Sequence, residues 1–230
     1  MFFKGIAKYG VHRILLKQPK GGKSHKEAGG EFLQLTLNTE EAEMASFFEM
    51  LRKRWDQELF VCVGLDSDIA EIPECVSGDS AKKRIVSFNR DIIASTADKA
   101  CAYKPNFSFY EALGADGMDA LYETIEAVRI LAPGVPVILD AKRADIGNTN
   151  KPSATFAFDL LGADAITVHP YLGAEAMSPF LGREDNGTIV LCRTSNMGGG
   201  EFQDRLVYVE WNELGDLVSE DISTLAKVCG

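Results

Sequence analysis

The stretch that decides the fold reads VILDAKRADIGNT and occupies residues 137–149. Three apolar residues lead into Asp140, Lys142 follows two positions later, and Asp145 follows three positions after that. Side chains alternate along an extended strand, so Asp140 and Lys142 point to the same face if residues 137–142 are extended. Ionised groups at the end of a buried strand are costly to desolvate unless they are paired. Taken alone, the pattern fits either a structural ion pair or a functional site.

Apolar runs of strand length alternate with helical patterns on both sides of this stretch. Strands are predicted at residues 59–65, 100–107, 135–140, 163–169 and 188–193. Helices are predicted, from apolar residues spaced by three and four, at residues 41–57, 80–99, 116–132, 153–161 and 173–181. Strands that are apolar on both faces and alternate with helices are typical of a parallel sheet covered by helices.

Polar residues at the ends of the predicted strands distinguish a barrel from an open, doubly wound sheet. Every predicted strand ends in or is followed by charged or hydrogen-bonding residues, namely Asp66, Lys104, Asp140 with Lys142, His169, and Arg193 with Ser195. Polar groups that converge at the carboxyl ends of successive strands form the active sites of (β/α)8 barrels. A dinucleotide-binding fold is disfavoured because no GxGxxG motif follows the first strand. We therefore predict an α/β protein of the (β/α)8 TIM-barrel type.

Composition and charge exclude several classes of function. The chain has 230 residues, 46% of them hydrophobic, which is enough for one domain with a substantial core or for two small domains. A net charge of −10 argues against nucleic acid as a partner, and no apolar run is long enough to span a membrane. No CxxC pair occurs, and Cys62, Cys101 and Cys192 lie in apolar runs, which predicts buried, reduced thiols in a cytoplasmic protein. The three histidines lack the spacing of metal ligands, so no metal site is predicted.

The amino-terminal segment differs in charge from the rest of the chain. Residues 1–30 contain seven basic residues and one acidic residue, whereas the remaining 200 contain 17 basic and 33 acidic residues. Because this segment has glycine pairs and no sustained periodicity, we expect residues 1–39 to be a basic, disordered leader. A targeting segment, a tail and translated upstream sequence remain alternative interpretations of it.

Five short motifs follow one another between residues 47 and 203. They are VGLD at 63–66, YKPN at 103–106, DAKRADIGNT at 140–149, TVHPYLG at 167–173 and LCRTSN at 191–196. Together they resemble the orotidine 5′-phosphate decarboxylase family, in its long bacterial-type branch. The DxKxxDI element with its downstream threonine is the most specific of them. Ala144 stands where many members of the family have glycine.

The resemblance implies a reaction and a role for each charge. The family converts orotidine monophosphate to UMP in de novo pyrimidine biosynthesis, with neither a metal nor an organic cofactor, through a carbanion at C6 of the pyrimidine. Lys104, Asp140, Lys142 and Asp145 match its alternating charge network. Asp140 is then expected to lie against the substrate carboxylate and Lys142 to protonate C6. Lys104 is expected to bind the ribose and to brace Asp140.

The resemblance also implies the remaining contacts with the substrate. Asp66 is expected to bind the ribose hydroxyls, and Ser195 the pyrimidine ring. In the family, the second aspartate of DxKxxD and the isoleucine and threonine that follow it reach into the neighbouring subunit's site. We therefore expect Asp145, Ile146 and Thr149 to be supplied across the interface of a homodimer.

This chemistry is physically reasonable. A charge network that is fixed before the substrate arrives stabilises developing charge without reorganisation, which is usually the largest catalytic effect. An ammonium group close to the forming carbanion lowers its energy and is placed to act as a general acid.

The resemblance weakens towards the carboxyl end of the chain. Residues 218–230 depart from the family, and residues 40–230 are fewer than the about 250 of a typical barrel. We therefore expect residues 40–230 to form an incomplete decarboxylase barrel with about five of eight strands. The elements that hold the 5′-phosphate should then be absent, so the 230-residue chain is expected to be inactive, aggregation-prone, or both.

Two alternative functions remain open at this point. One is a magnesium-dependent sugar-phosphate decarboxylase of the same superfamily, which shares the DxKxxD element. The other is a truncated remnant without catalytic activity.

Overall fold

The computed structural model describes residues 45–210 and 217–221, with side chains described for residues 45–205. The predicted leader at residues 1–39 and the start of the predicted helix at 41–57 lie outside the described residues. Among the helices that are described, none is long and apolar enough to cross a membrane.

Five parallel strands lie side by side in chain order. They are β1 (Val61–Leu65), β2 (Ala100–Pro105), β3 (Ile138–Arg143), β4 (Ala165–Val168) and β5 (Gly187–Val190). Parallel ladders join β1 to β2 and β3 to β4 to β5, and two parallel bridges, Tyr103 with Val137 and Asn106 with Asp140, join β2 to β3. The predicted parallel α/β sheet is confirmed.

Helices connect the strands and precede the first of them. They are α1 (Phe47–Trp55), α2 (Ala81–Thr96), α3 (Phe107–Glu111), α4 (Gly114–Leu131), α5 (Gly147–Ala154) and α6 (Gly173–Leu181). A π-helical turn, Thr155–Leu160, continues α5. After β5 come a 3-10 turn (Met197–Gly199), α7 (Gly200–Gln203) and two further strands, β6 (Leu206–Glu210) and β7 (Leu217–Asp221).

Strands β6 and β7 do not extend the parallel sheet. They pair antiparallel with each other, from Leu206 opposite Asp221 to Glu210 opposite Leu217. Within the described part of the chain, the parallel run therefore ends at β5, in agreement with the predicted five strands.

Two predicted boundaries next to the DxKxxD element are wrong. Strand β3 continues to Arg143 rather than ending at residue 140, because Arg143 pairs with Val168 of β4. The helix predicted from residue 153 begins at Gly147, directly after Ile146, whose backbone is extended. Only three residues therefore separate the end of β3 from the start of α5, and the turn that contains Asp145 is short.

Helix α1 closes the amino-terminal end of the sheet. Its Arg54 donates hydrogen bonds to the backbone carbonyls of Ala97 and Ala100, just before and at the start of β2, both at 2.8 Å. The backbone N–H of Phe47 donates to the carbonyl of Asp185, which precedes β5, at 2.8 Å. Phe47 and Leu51 pack in a buried cluster with Cys101, Ala102, Ile138, Ala165 and Ile189. The carboxyl ends of the strands lie at the opposite end of the sheet.

The edge strand β1 exposes apolar surface. Within the described residues β1 pairs with β2 alone, and Phe60 and Val61 are 45% and 51% exposed. The prediction that Cys62 is buried is wrong. Cys62 lies on β1, whose second side has no partner strand among the described residues. Cys101 on the next strand is buried as predicted, and Cys192 is half-buried.

Replacing Gly187 should destabilise the fold. A Cβ atom at Gly187 would lie 2.3 Å from Cδ1 of Phe47 and 2.8 Å from Cβ of Ala165, both in the buried cluster under α1. We expect Gly187→Ala to lower the free energy of unfolding by about 1–3 kcal/mol, the usual effect of overpacking, as measured by urea denaturation.

The control is Gly198→Ala, where the nearest atom to the added Cβ is a flexible Glu201 carboxylate oxygen at 3.3 Å. An unchanged urea midpoint for Gly187→Ala would mean that α1 does not pack against the sheet in this way.

Candidate active site

Asp140 lies at the centre of a network of charged and polar side chains on β2, β3 and β4. Its Oδ2 atom accepts a hydrogen bond from Nζ of Lys104 and its Oδ1 atom accepts one from Nζ of Lys142, both at 2.8 Å. The side chain of Asp140 is only 3% exposed, whereas those of Lys104 and Lys142 are 22% and 43% exposed. A buried carboxylate thus has an ammonium group on each oxygen, and both ammonium groups retain access to the open end of the sheet.

Thr167 on β4 completes this network. Its hydroxyl donates to Oδ1 of Asp140 at 2.8 Å, and its oxygen accepts the backbone N–H of Lys142 at 3.0 Å. Thr167 is buried, so these bonds satisfy a polar group that would otherwise be costly inside the protein. Sequence reasoning placed Thr167 in a family motif without giving it a role. A hydroxyl in the apolar run at residues 163–169 was the available signal.

The backbone of β3 is irregular where it presents Lys142. The register of β3 against β4 shifts between Leu139 and Arg143, and Lys142 has a φ of 47°, in the left-handed region. The predicted convergence of Asp140 and Lys142 is confirmed, although a regular extended strand is not its cause. Ala144, where many family members have glycine, has a φ of 147°, which favours glycine. Such strain is typical of functional sites and must be compensated by the surrounding structure.

The network controls the charge of Asp140. Burial by itself would raise the pKa of this carboxyl, but hydrogen bonds from Lys104, Lys142 and Thr167, with the charge of Lys104, lower it from 3.8 to about 2. Burial would in turn lower the pKa of Lys104, yet the adjacent Asp140 raises it above its usual value. Asp140 is therefore an anion and Lys104 a cation at neutral pH.

Asp66, at the carboxyl end of β1, is held from the neighbouring strand. Nδ2 of Asn106 lies 3.5 Å from Oδ2 of Asp66, and Oδ1 of Asn106 accepts the backbone N–H of Ser108 at the start of α3. Asn106 also forms the backbone bridge to Asp140. Asn106 is thus a link between Asp66 and the Asp140 network, a role that sequence reasoning did not assign to the asparagine of the YKPN motif.

Asp145 lies outside the network within its own chain. Its Oδ1 atom accepts the backbone N–H of Ile146 at 2.7 Å, and among the described residues it makes no bond with Lys142 or Asp140. Asp145, Ile146 and Thr149 are all exposed, with Ile146 57% exposed although it is apolar. The three residues expected to act in a neighbouring subunit are thus presented outwards at the site end of the sheet.

Among the described residues, the remaining polar residues at the strand ends make no bond with the Asp140 network. Ser195 is exposed on the segment after β5, and in the described part of the chain it makes no hydrogen bond with Asp140 or either lysine. Arg193 is held by Asp204 through bonds of 2.6 and 3.0 Å, which indicates a structural role. His169 is half-buried at the end of β4, where its backbone N–H bonds the carbonyl of Arg143 and its Nδ1 atom has no hydrogen-bond partner among the described residues.

A cavity of about 330 Å³ lies on the opposite face of β3. It is lined by Leu139, Ala141 and Arg143, which alternate with Asp140 and Lys142, and by residues of α4 and α5. Because the strand separates this cavity from Asp140, it is not part of the candidate site. Within the described residues no three His, Cys, Asp or Glu side chains are grouped closely enough to hold a metal ion.

Comparison with known proteins identifies the family of this chain. Residues 60–222 match the family model described as the orotidine 5′-phosphate decarboxylase / HUMPS family. A relative from Herpetosiphon aurantiacus, named orotidine 5′-phosphate decarboxylase, is 50% identical over 147 residues, which cover 64% of this chain and 53% of the relative. One from Roseiflexus castenholzii with the same name is 46% identical over 160 residues, covering 69% of this chain and 57% of the relative.

Solved structures from Leishmania donovani resemble the fold. Its OMP decarboxylase is 39% identical with a TM-score of 0.60, covering 70% of this chain and 59% of that one. Its UMP synthase is 39% identical with a TM-score of 0.62, covering 71% of this chain and 34% of that one.

The fold and the charged strand ends define an enzyme of the TIM-barrel class. The described residues form part of such a barrel. The chain belongs to the orotidine 5′-phosphate decarboxylase / HUMPS family. It spans about half the length of the curated relatives that it matches.

The ionisation of Asp140 should make the free energy of unfolding depend on pH in the acid range. Its pKa is lowered from 3.8 to about 2 by folding, so its contribution is complete above about pH 4 and is lost as the pH falls through about 2. Such a shift corresponds to roughly 2 kcal/mol of stability. The difference in free energy of unfolding between wild type and Asp140→Asn should therefore shrink from about pH 6 to about pH 3 in urea titrations. A constant difference would show that Asp140 does not have a lowered pKa.

Proposed function

We propose that this protein is an orotidine 5′-phosphate decarboxylase, which converts orotidine monophosphate to UMP and CO2. The observation that carries the proposal is the buried Asp140 carboxylate between the ammonium groups of Lys104 and Lys142, each at 2.8 Å. The family match and the names of the relatives support the same assignment.

The chemistry assigns one step to each side chain. The substrate carboxylate lies against Asp140, and the C–C bond to C6 breaks so that its electron pair remains on C6 while CO2 departs. The ammonium group of Lys142 stabilises that charge and donates a proton to C6, after which the neutral amine regains a proton from water. Lys104, with Thr167, keeps Asp140 ionised and in place, so the charges are arranged before the substrate binds.

The same contacts favour decarboxylation without a metal over the magnesium-dependent alternative. Both oxygens of Asp140 are already bonded, one by Lys104 and the other by Lys142 and Thr167. A magnesium ion at Asp140 would have to displace a hydrogen-bonded ammonium group and would be repelled by the other one. The proposed reaction is therefore insensitive to chelators.

The proposal includes a homodimer that works in the cytoplasm. The exposed apolar side chain of Ile146 and the exposed Asp145 and Thr149 support an interface at the site end of the sheet. Tyr171 and Leu172, in the turn after β4, are 71% and 45% exposed and add apolar surface there. Contacts across this interface would place Asp145, Ile146 and Thr149 beside the partner's substrate.

A fusion protein tests the function directly. Residues 1–205 of this chain would be joined to the carboxyl-terminal part of the Herpetosiphon aurantiacus relative, starting at the residue of the relative that corresponds to residue 206. Release of CO2 from orotidine monophosphate, at the same rate with and without a chelator, is the expected result. No turnover by a folded fusion protein would refute the function, and loss of turnover on chelation would favour the magnesium-dependent alternative.

Removing the proposed proton donor should abolish turnover without unfolding the protein. Lys142 is 43% exposed, so Lys142→Ala deletes little buried surface. We expect kcat of the fusion protein to fall by at least about 1,000-fold, because the variant lacks both the cation beside C6 and the general acid. The variant should still unfold cooperatively, at a lower urea midpoint, because Asp140 keeps its bonds with Lys104 and Thr167 but loses the one from Lys142. A variant that retains a near-parental rate would refute the role of Lys142.

Mixing two variants that each retain only a low residual activity should restore activity if the site is shared between subunits. In a random population made from Lys142→Ala and Asp145→Ala subunits, half of the dimers are mixed, and each mixed dimer has one intact site. Activity should therefore recover to about a quarter of the parental value per site. Subunit exchange is verified with two affinity tags. No recovery after exchange would mean that Asp145 acts within its own chain.

A further inference from the structure

The turn that carries Asp145 is held by a buried side chain that belongs to no family motif used above. We propose that Asn150 is the positioning residue for this turn: it fixes the backbone of Asp145 and thereby sets where Asp145, Ile146 and Thr149 point. The inference rests on the proposed function for its catalytic consequence, since these three residues are the ones expected to act in a partner's site.

Asn150 clamps both backbone groups of Asp145. The backbone N–H of Asp145 donates to Oδ1 of Asn150 at 2.8 Å, and Nδ2 of Asn150 donates back to the carbonyl of Asp145. The same Nδ2 atom also donates to the carbonyl of Ala176 on α6 at 2.6 Å. The side-chain amide therefore replaces the pairing that a neighbouring strand would give Asp145, and it anchors that pairing to α6.

Asn150 is buried, so the loss of these hydrogen bonds would leave its amide without water or other partners. Asn150 is 0% exposed, although the Asp145 whose backbone it holds is exposed. Asparagine is a poor residue within a helix, and a buried amide without partners would be costly, yet here both polar atoms of the side chain are bonded. Its partners are the backbone of Asp145 and the carbonyl of Ala176 on α6, which indicates that Asn150 holds the turn in place.

The backbone next to Asp145 explains why a clamp is needed. Ala144 has a φ of 147°, a strained value for a residue with a side chain, and the regular pairing of β3 ends at Arg143. Helix α5 begins at Gly147 with no side-chain cap from Ile146. Between these two points the backbone of Asp145 makes no strand or helix hydrogen bond with any described residue, so its orientation depends on Asn150.

Amide hydrogen exchange of the full 230-residue chain tests the clamp without any assay of activity. In the wild type, the N–H of the exposed Asp145 should exchange as slowly as amides within α5. In Asn150→Ala, the exchange of this amide should accelerate by about 10- to 100-fold, while amides of β3 and β4 keep their protection. Fast exchange at Asp145 in the wild type overturns the proposal even if the variant fails to fold.

Asn89→Ala is the matched control. Asn89 is also 0% exposed and makes three side-chain hydrogen bonds, with Ser67, Tyr110 and Thr124. The substitution thus removes the same group and a similar number of bonds, but on α2, with partners after β1, on α3 and on α4. It should leave the relative protection of the Asp145 amide unchanged. Equal acceleration at Asp145 in both variants would show general destabilisation and overturn the clamp.

Turnover of the fusion protein separates positioning from a purely structural role. Asn150→Ala should lower kcat by about 10- to 100-fold in the parental background, but by less than about threefold in an Asp145→Ala background. Its effect on the urea midpoint should be the same in both backgrounds. Equal effects on kcat in both backgrounds would overturn the positioning role. If the parental fusion protein has no turnover, the proposed function fails, while hydrogen exchange still decides whether Asn150 holds the turn.

Discussion

The buried carboxylate of Asp140 is the constraint on which the site depends. An isolated charge at this depth would be expelled or neutralised, so the fold must provide cations and a donor at fixed positions. Lys104 from β2, Lys142 from β3 and Thr167 from β4 meet this requirement together. Three neighbouring strands are therefore held in one relative arrangement by a single group, and that arrangement is the proposed catalytic centre.

The two ends of the sheet differ in their side chains: the amino-terminal end is packed with apolar residues, and the carboxyl end carries the polar residues of the candidate site. At the amino-terminal end, α1 packs Phe47 and Leu51 into an apolar cluster and bonds the backbone at the start of β2. At the carboxyl end the polar groups of successive strands face an open surface. A closed, apolar end allows the other end to hold strained backbone, such as that of Lys142 and Ala144, without loss of the fold.

Much of the site could be predicted from the sequence because its members occur at the ends of strands. Asp66, Lys104, Asp140 and Lys142 were each found by their position after or within an apolar run, and resemblance to a family gave them roles. Thr167, Asn106 and Asn150 were not given roles, because their contributions are hydrogen bonds to groups distant in the chain. Their residue types are common in turns and strands, so no local pattern distinguishes them.

The sequence by itself determined the parallel α/β architecture, since the period of its apolar residues dictates which faces can be buried. It also determined which strands carry charge. Only the tertiary structure decided that β3 continues to Arg143 and that Val61 and Cys62 of β1 are exposed. It also decided that Asp145, among the described residues, makes no bond with the Asp140 network of its own chain. These features depend on strand register and on contacts between distant residues, which periodicity along one chain does not encode.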